Sequence, residues 1–143
     1  MERRHVLMFR TVGYARIIEL AKQKHYFDSM FVREGYRRKG IATALFRFAI
    51  SHFGRYPELD IRWQSRVAQR IALKHGYRQV GKSERYSHCN TWRHPNEDRI
   101  EMESILTIIG QRLHEGGDRH TTIYYLEFLN GSNFPLQPRR SRA

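Results

Sequence analysis

The sequence predicts an α/β fold, a β-sheet flanked by helices, and three observations carry that reading. Short runs rich in aromatic and β-branched residues alternate apolar with polar positions, as strands do. A basic, glycine-bearing turn separates one such run from a good helix sequence. A second amphipathic stretch follows and ends on a glycine, a natural helix stop. The chain has 143 residues, enough for one domain with a real core.

Val6–Phe9 reads as the first strand and Tyr14–Leu20 as the second, with Gly13 at the turn between them. Tyr26–Val32 is the third, and by period-two alternation Tyr26, Asp28 and Met30 share a face. It leads into Arg37-Arg38-Lys39-Gly40-Ile41-Ala42 and a helix from Ile41 to Phe53, closed by Gly54. Leu59–Trp63 alternates as another strand. From Ser65 to His75 the apolar residues Val67, Ala68, Ile71 and Ala72 fall on one helical face, and Gly76 follows as C-cap. Tyr77–Gly81 resumes as a strand, and 87–95 reads as a loop. Glu97–His114 is expected to be an amphipathic helix with Ile100, Ile105, Leu106, Ile109 and Leu113 on its apolar stripe, ended by Gly116 and Gly117. Thr121–Leu129 is a strong strand, expected as the final antiparallel member of the sheet. Residues 1–85 form the core, 86–130 complete the same domain, and 131–143 are a basic tail expected to be mobile.

Composition narrows the function classes. Eight Tyr, eight Phe and two Trp mark a folded chain rather than a disordered one. A single cysteine, Cys89, excludes an intrachain disulfide and points to a reducing, cytoplasmic setting. No apolar run approaches the roughly 20 residues of a membrane span, and no membrane partner is expected. The net charge of +12 suits a polyanionic partner such as nucleic acid or a nucleoprotein, or a phosphate-bearing ligand.

The glycine turn carries the chemistry. At a strand-to-helix junction, glycine lets the backbone approach a ligand, and the first helical turn offers unpaired N–H groups to a phosphate. The segment Val32-Arg33-Glu34-Gly35-Tyr36-Arg37-Arg38-Lys39-Gly40-Ile41-Ala42 resembles the acetyl-CoA signature of the GNAT N-acetyltransferases: Arg or Gln, two residues, Gly, one residue, then Gly or Ala. Arg37, Gly40 and Ala42 fill it. The order strand, strand, strand, helix, strand, helix, strand over about the first 85 residues is also that of the family core. The resemblance implies a mixed, mostly antiparallel sheet and an acyl-CoA-dependent transfer, most simply from acetyl-CoA, to an amine acceptor, possibly on a macromolecule. A catalytically degenerate scaffold that binds nucleic acid through its basic surface is the alternative.

On that resemblance, the donor pyrophosphate sits on the turn amides from Arg38 to Ala42, Ile41 included and chiefly Arg38, Gly40 and Ala42, with a further amide near Thr43 and charge from Arg37 and Lys39. The thioester carbonyl is polarised by main-chain N–H near Val32, beside Phe31. The second family motif (Asn, two residues, Ala, three residues, Tyr, then an aromatic after Gly) is matched by Ala68, Gly76 and Tyr77, while Ser65 holds the Asn position and Ala72 the Tyr position. The usual proton donor to the departing thiolate is therefore replaced, leaving Tyr77, Tyr36, Ser65 or water. A base on the third strand falls to Tyr26 or Asp28, although Asp28 could equally pair with an arginine. Arg66, Arg70 and Lys74, four apart, form a basic stripe for the donor's ribose phosphate, for a nucleic-acid backbone, or for solvent. His88, Cys89 and His94 match no recognised zinc spacing and are expected to be incidental, with no metal cofactor. Family members begin with a strand and two helices that wall the acceptor site. This sequence starts at the first hairpin, so the C-terminal part or a second subunit of a homodimer is expected to replace that wall.

Overall fold

The alternation in the first strands folds as expected into a meander. The structure is a computed structural model, and it describes residues 2–20, 24–96, 102–116 and 119–129. Strand β1 (Arg3–Phe9) pairs antiparallel with β2 (Gly13–Leu20), which pairs antiparallel with β3 (Lys24–Val32). His5, Leu7 and Phe9 alternate into the core from β1, and Ala15 and Ile17 do so from β2. Helix α1 (Ile41–Phe53) covers that face, burying Ile41, Ala44, Leu45, Phe48, Ala49 and Ile50, and ends at Gly54 in the left-handed region.

β4 (Glu58–Arg62), helix α2 (Arg66–Lys74) and β5 (Arg78–Lys82) follow. The two helices share a face: Phe46 of α1 packs its ring 5.5 Å from Phe27 of β3 and 5.1 Å from His75 at the end of α2. Ala72 is the buried residue of α2. Val67, expected beside it, is 64% exposed, because it lies about 140° around the helix from Ala72.

Past residue 86 the structure departs from the sequence reading. Cys89–Arg93, expected within a loop, is strand β6, which pairs antiparallel with both β4 and β5 and buries Cys89, Thr91 and Trp92. The helix expected over Glu97–His114 is replaced by strand β7 (Leu106–Gly116); residues 97–101 lie outside the described residues, as does the tail. Of the expected apolar stripe only Leu106 is buried among the described residues, while Ile105, Ile109 and Leu113 are all more than half exposed. Instead β7 forms a long antiparallel hairpin with β8 (Arg119–Phe128), from Leu106↔Phe128 to Gly116↔Arg119. Pairing with β8 and the β-branched Thr107, Ile108 and Ile109 favour the strand over the helix.

β8 joins the sheet by parallel pairing with β1, from Arg3↔His120 to Phe9↔Leu126, and not as the antiparallel member expected. The sheet therefore has eight strands in the order β5-β6-β4-β3-β2-β1-β8-β7, antiparallel throughout except at β3–β4 and β1–β8. Side chains fasten the hairpin. His5 Nε2 donates to Glu19 at 2.9 Å, its Nδ1 lies in a hydrogen bond of 2.9 Å with the buried Tyr124 hydroxyl, and Arg10 grips Glu127 in a two-pronged pair at 2.6 and 2.9 Å. Among the described residues no helix is long and apolar enough to cross a membrane.

Candidate active site

A gap in the sheet defines the site. β3 and β4 pair in parallel only at Tyr26↔Glu58 and Phe27↔Leu59, after which β3 continues to Val32 beside β2 alone while β4 continues beside β6. The two strands diverge where β3 carries a bulge. Arg16 faces Ser29 and Ile17 faces Phe27, so Asp28 is the extra residue. A bulge strengthens local twist and re-aims the side chains beyond it. This one breaks the alternation expected for Tyr26, Asp28 and Met30. Met30 now faces Ala15 and packs on the core with Phe27, away from Tyr26 and Asp28.

The backbone at the end of β3 points into this opening. Arg33 N–H donates to the Val12 carbonyl at 2.7 Å. Antiparallel ladders alternate bonded and non-bonded pairs, so the neighbouring pair Gly13↔Val32 turns the N–H and C=O of Val32 away from β2 and toward the gap. The Val32 carbonyl there accepts from Arg37 Nε at 2.9 Å, and the same guanidinium lies 5.9 Å from the Phe31 ring. Arg37 thus ties the turn to the strand end. Phe31 is half exposed, its ring 5.9 Å from Tyr14 on the neighbouring strand.

The turn delivers the chain onto α1 with its amides uncovered. Gly40 is the N-cap at φ 78°, has no side chain to cap the helix, and α1 carries no acidic residue in its first turn. Ala44 N–H is the first amide bonded back, to Gly40 O at 2.9 Å, so those of Ile41, Ala42 and Thr43 have no acceptor among the described residues. A Cβ placed on Gly40 would meet nothing within 4 Å, so the space in front of those amides is open. Arg38 is itself left-handed at φ 64°, a conformation that costs a non-glycine about 1–2 kcal/mol. Free N–H groups, the helix dipole, open space and the cations of the turn make an anion cradle.

The side chains proposed for proton transfer fare differently. Tyr77 is only 2% exposed, and its hydroxyl donates to the Pro57 carbonyl at 2.6 Å, so it is a core residue and not the proton donor that the sequence suggested. Ala72 is fully buried against the core. Ala72→Tyr should therefore overpack the α2 interface instead of restoring a donor, lowering stability by about 1–3 kcal/mol; thermal unfolding of the variant measures this. Ser65 caps α2 without a side-chain bond, at the end of β4 that borders the gap. Asp28 binds Arg16 and accepts from the Tyr86 hydroxyl, so its carboxylate is engaged. Burial pushes the Tyr26 phenol up, and the bond to Asp28 followed by burial does the same to Tyr86. Neither is a base near neutrality. The contact of Tyr86 with Asp28 escaped the sequence reading because nothing in a 58-residue separation signals it.

Arg70 lies exposed on α2 between Arg66 and Lys74, one stripe as expected. A cavity of about 650 Å³ opens beside Tyr26, Glu58, Arg85 and Arg93, at the end of β3 and β4 remote from the turn. Cys89 is buried, and that burial pushes its thiol pKa up. His94 stacks on Tyr56 at 3.6 Å, and His88 lies edge-on to Trp63. Among the described residues no three His, Cys, Asp or Glu side chains converge as metal ligands do.

No curated protein and no solved structure matches the chain. The family described as the acetyltransferase (GNAT) domain matches residues 2–79, from β1 through the second helix and more than half of the chain. Its members are acyl-CoA-dependent N-acyltransferases, and the mixed, mostly antiparallel sheet is the architecture the sequence resemblance implies. The chain belongs to the GNAT acetyltransferase family.

Proposed function

We propose that the protein transfers an acetyl group from acetyl-CoA directly to an amine. One observation carries the reading: the Val32 N–H and the uncapped start of α1 border the same gap between β3 and β4. The pyrophosphate lies on the amides around Arg38, Gly40, Ile41, Ala42 and Thr43, with Lys39 and Arg37 beside it and Arg70 toward the ribose phosphate. The pantetheine arm runs along Phe31 and Val32, whose N–H holds the thioester oxygen.

The neutral amine nitrogen of the acceptor attacks the carbonyl carbon, and negative charge gathers on the oxygen facing Val32. The carbon–sulfur bond then breaks and CoA leaves as a thiolate, while the new amide nitrogen sheds its extra proton. With Tyr77 in the core and Asp28 engaged, Ser65 and solvent carry these protons. Proximity and the polarised carbonyl supply the larger share of the acceleration, since general acid–base help is worth about 10²–10⁴-fold. The acceptor reaches the gap from the face that α1 leaves open, past Tyr26 and the cavity at Glu58, and the charge favours an amine on a polyanionic macromolecule. Cys89, unpaired and buried, fits a reducing cytoplasmic setting.

The buried Tyr77 and Ala72 and the engaged Asp28 favour a second reading, in which the scaffold binds acetyl-CoA without transferring from it. Release of free thiol from acetyl-CoA, followed with a panel of primary amines from polyamines to lysine-containing peptides, separates the two. Amine-dependent release supports transfer. Tight acetyl-CoA binding with no release above the protein-free rate supports the second reading.

A further inference from the structure

The helix-free face of the sheet gathers cations at one end. Phe27 and its partner Leu59 point toward α1, so their neighbours Tyr26 and Glu58 point to the opposite face. Trp92 stands opposite Leu59, which puts Arg93 on the same face as Glu58, and Arg78 of β5 stands directly opposite Arg93. The cavity of about 650 Å³ opens here. Five of its lining side chains are cationic, Lys24, Arg55, Lys82, Arg85 and Arg93. Only Glu58 and Glu84 among them are acidic, so the lining is net positive before Arg78 is added.

The nearby acids do not balance this charge. Asp60 is taken by Arg85 and Thr91. Glu58 is shared between Arg85 at 3.7 Å and Arg93 at 3.3 Å, both long for a charged hydrogen bond. Lys24, Arg78 and Lys82 have no carboxylate partner among the described residues. Farther along the same face the pattern differs, with Arg4, Arg10 and Arg16 each held by an acid. The Arg78–Arg93 pair is the sharpest of these observations. Side chains directly opposite on antiparallel strands have Cβ atoms about 4.5–5.5 Å apart, and like charges there are destabilising. Glu58 reaches Arg93 from β4, on the side of β6 away from Arg78, so it does not separate the two guanidinium groups.

We infer that this cavity binds a small phosphorylated molecule, with its phosphoryl group held by Arg78 and Arg93. A phosphate monoester brings a charge of about −1.5 to −2 on one tetrahedral group, enough to offset both guanidinium groups at once. A single carboxylate brings half of that. Lys24, on β3 and three strands away from β5 across the cavity, meets the rest of the ligand. The volume falls within the range of about 300–1,000 Å³ usual for small-molecule sites and exceeds what a lone ion needs. From Tyr26 to Val32 the strand β3 advances about 20 Å, so this site is separate from the donor cradle. The inference requires neither a donor nor a turnover.

Calorimetric titration of the full chain with glycerol 3-phosphate tests it, with amide chemical shifts to locate the site. Acetyl-CoA is kept in excess so that the cradle is covered. Saturable binding should shift Tyr26, Glu58, Thr91 and Arg93 and leave Ile41, Ala42 and Thr43 unchanged. Arg78→Gln should weaken it on the order of 10-fold, and Lys24→Gln about threefold. Glu58→Gln should tighten it about threefold by removing an acid from the cavity, a gain that damage to the fold does not produce. Arg112→Gln, one cation lost on β7, should change affinity less than about twofold. Without ligand, Arg78→Gln should unfold at no lower temperature than the parent, because it relieves a like-charge pair. Succinate, whose two charges lie on separate carboxylates, should bind at least about threefold more weakly. The inference is overturned by shifts confined to the cradle, by mutual displacement of glycerol 3-phosphate and acetyl-CoA, or by equal losses in Arg112→Gln and Arg78→Gln. Succinate binding as tightly, or no saturable binding, overturns it as well.

Discussion

Gly40→Glu is expected to abolish acetyl-CoA binding while leaving a folded protein. Two effects add. The residue sits at φ 78°, where a side chain costs about 1–2 kcal/mol of stability. The open space before it would then hold a carboxylate where the pyrophosphate belongs. Two like charges about 4 Å apart at an effective dielectric of 20 repel by about 4 kcal/mol, a loss on the order of a thousandfold in affinity. Gly40→Asn isolates the second effect, because asparagine tolerates the left-handed region and brings no charge. It should bind acetyl-CoA measurably, between the parent and the glutamate variant. Calorimetric titration of the three proteins, with thermal unfolding to verify folding, checks the order. Equal affinities across the series would place the donor elsewhere.

Arg85→Ala should be the most destabilising single change on the helix-free face. Arg85 binds the Asp60 carboxylate at 2.7 Å, reaches toward Glu58, and lies 4.2 Å from the Tyr26 ring. The Asp60 side chain is 1% exposed, with Thr91 Oγ1 as its other donor at 2.8 Å. Removing the guanidinium leaves that carboxylate buried and unneutralised, a loss of about 3 kcal/mol. Asp60→Asn in the Arg85→Ala background should recover part of it by removing the charge. Urea unfolding of the three variants measures both steps, and a change under about 0.5 kcal/mol for Arg85→Ala would show that solvent already screens the pair.

How much of this was legible in the sequence depends on where each signal resides. The first three strands, α1 and its glycine caps were readable because each element carries its own periodicity and stop signal within a dozen residues. Gly40 and the Arg37-to-Ala42 turn were readable for the same reason. Strand β7 was not: Ile105, Ile109 and Leu113 fit a helical stripe as well as an edge strand, and pairing with residues 119–128 decided between them. The parallel docking of β8 on β1 depends on His5, Tyr124, Arg10 and Glu127, more than a hundred residues apart in sequence. Within the site, the alternation argument failed at one residue. The Asp28 bulge has no local signature, yet it moves Met30 to the core and leaves Asp28 to Arg16 and Tyr86. Tyr77 matched a motif, but burial beneath Pro57 assigned it to packing.

In the proposed transfer, one gap between β3 and β4 presents both the oxyanion donor and the pyrophosphate cradle. Amide chemical shifts and hydrogen exchange, recorded with and without acetyl-CoA, test it directly. Acetyl-CoA should perturb and protect Val32 together with Ile41, Ala42 and Thr43, while amides in the β7–β8 hairpin stay unchanged. Saturable acetyl-CoA binding that leaves those four amides untouched, or no binding at all, would contradict it.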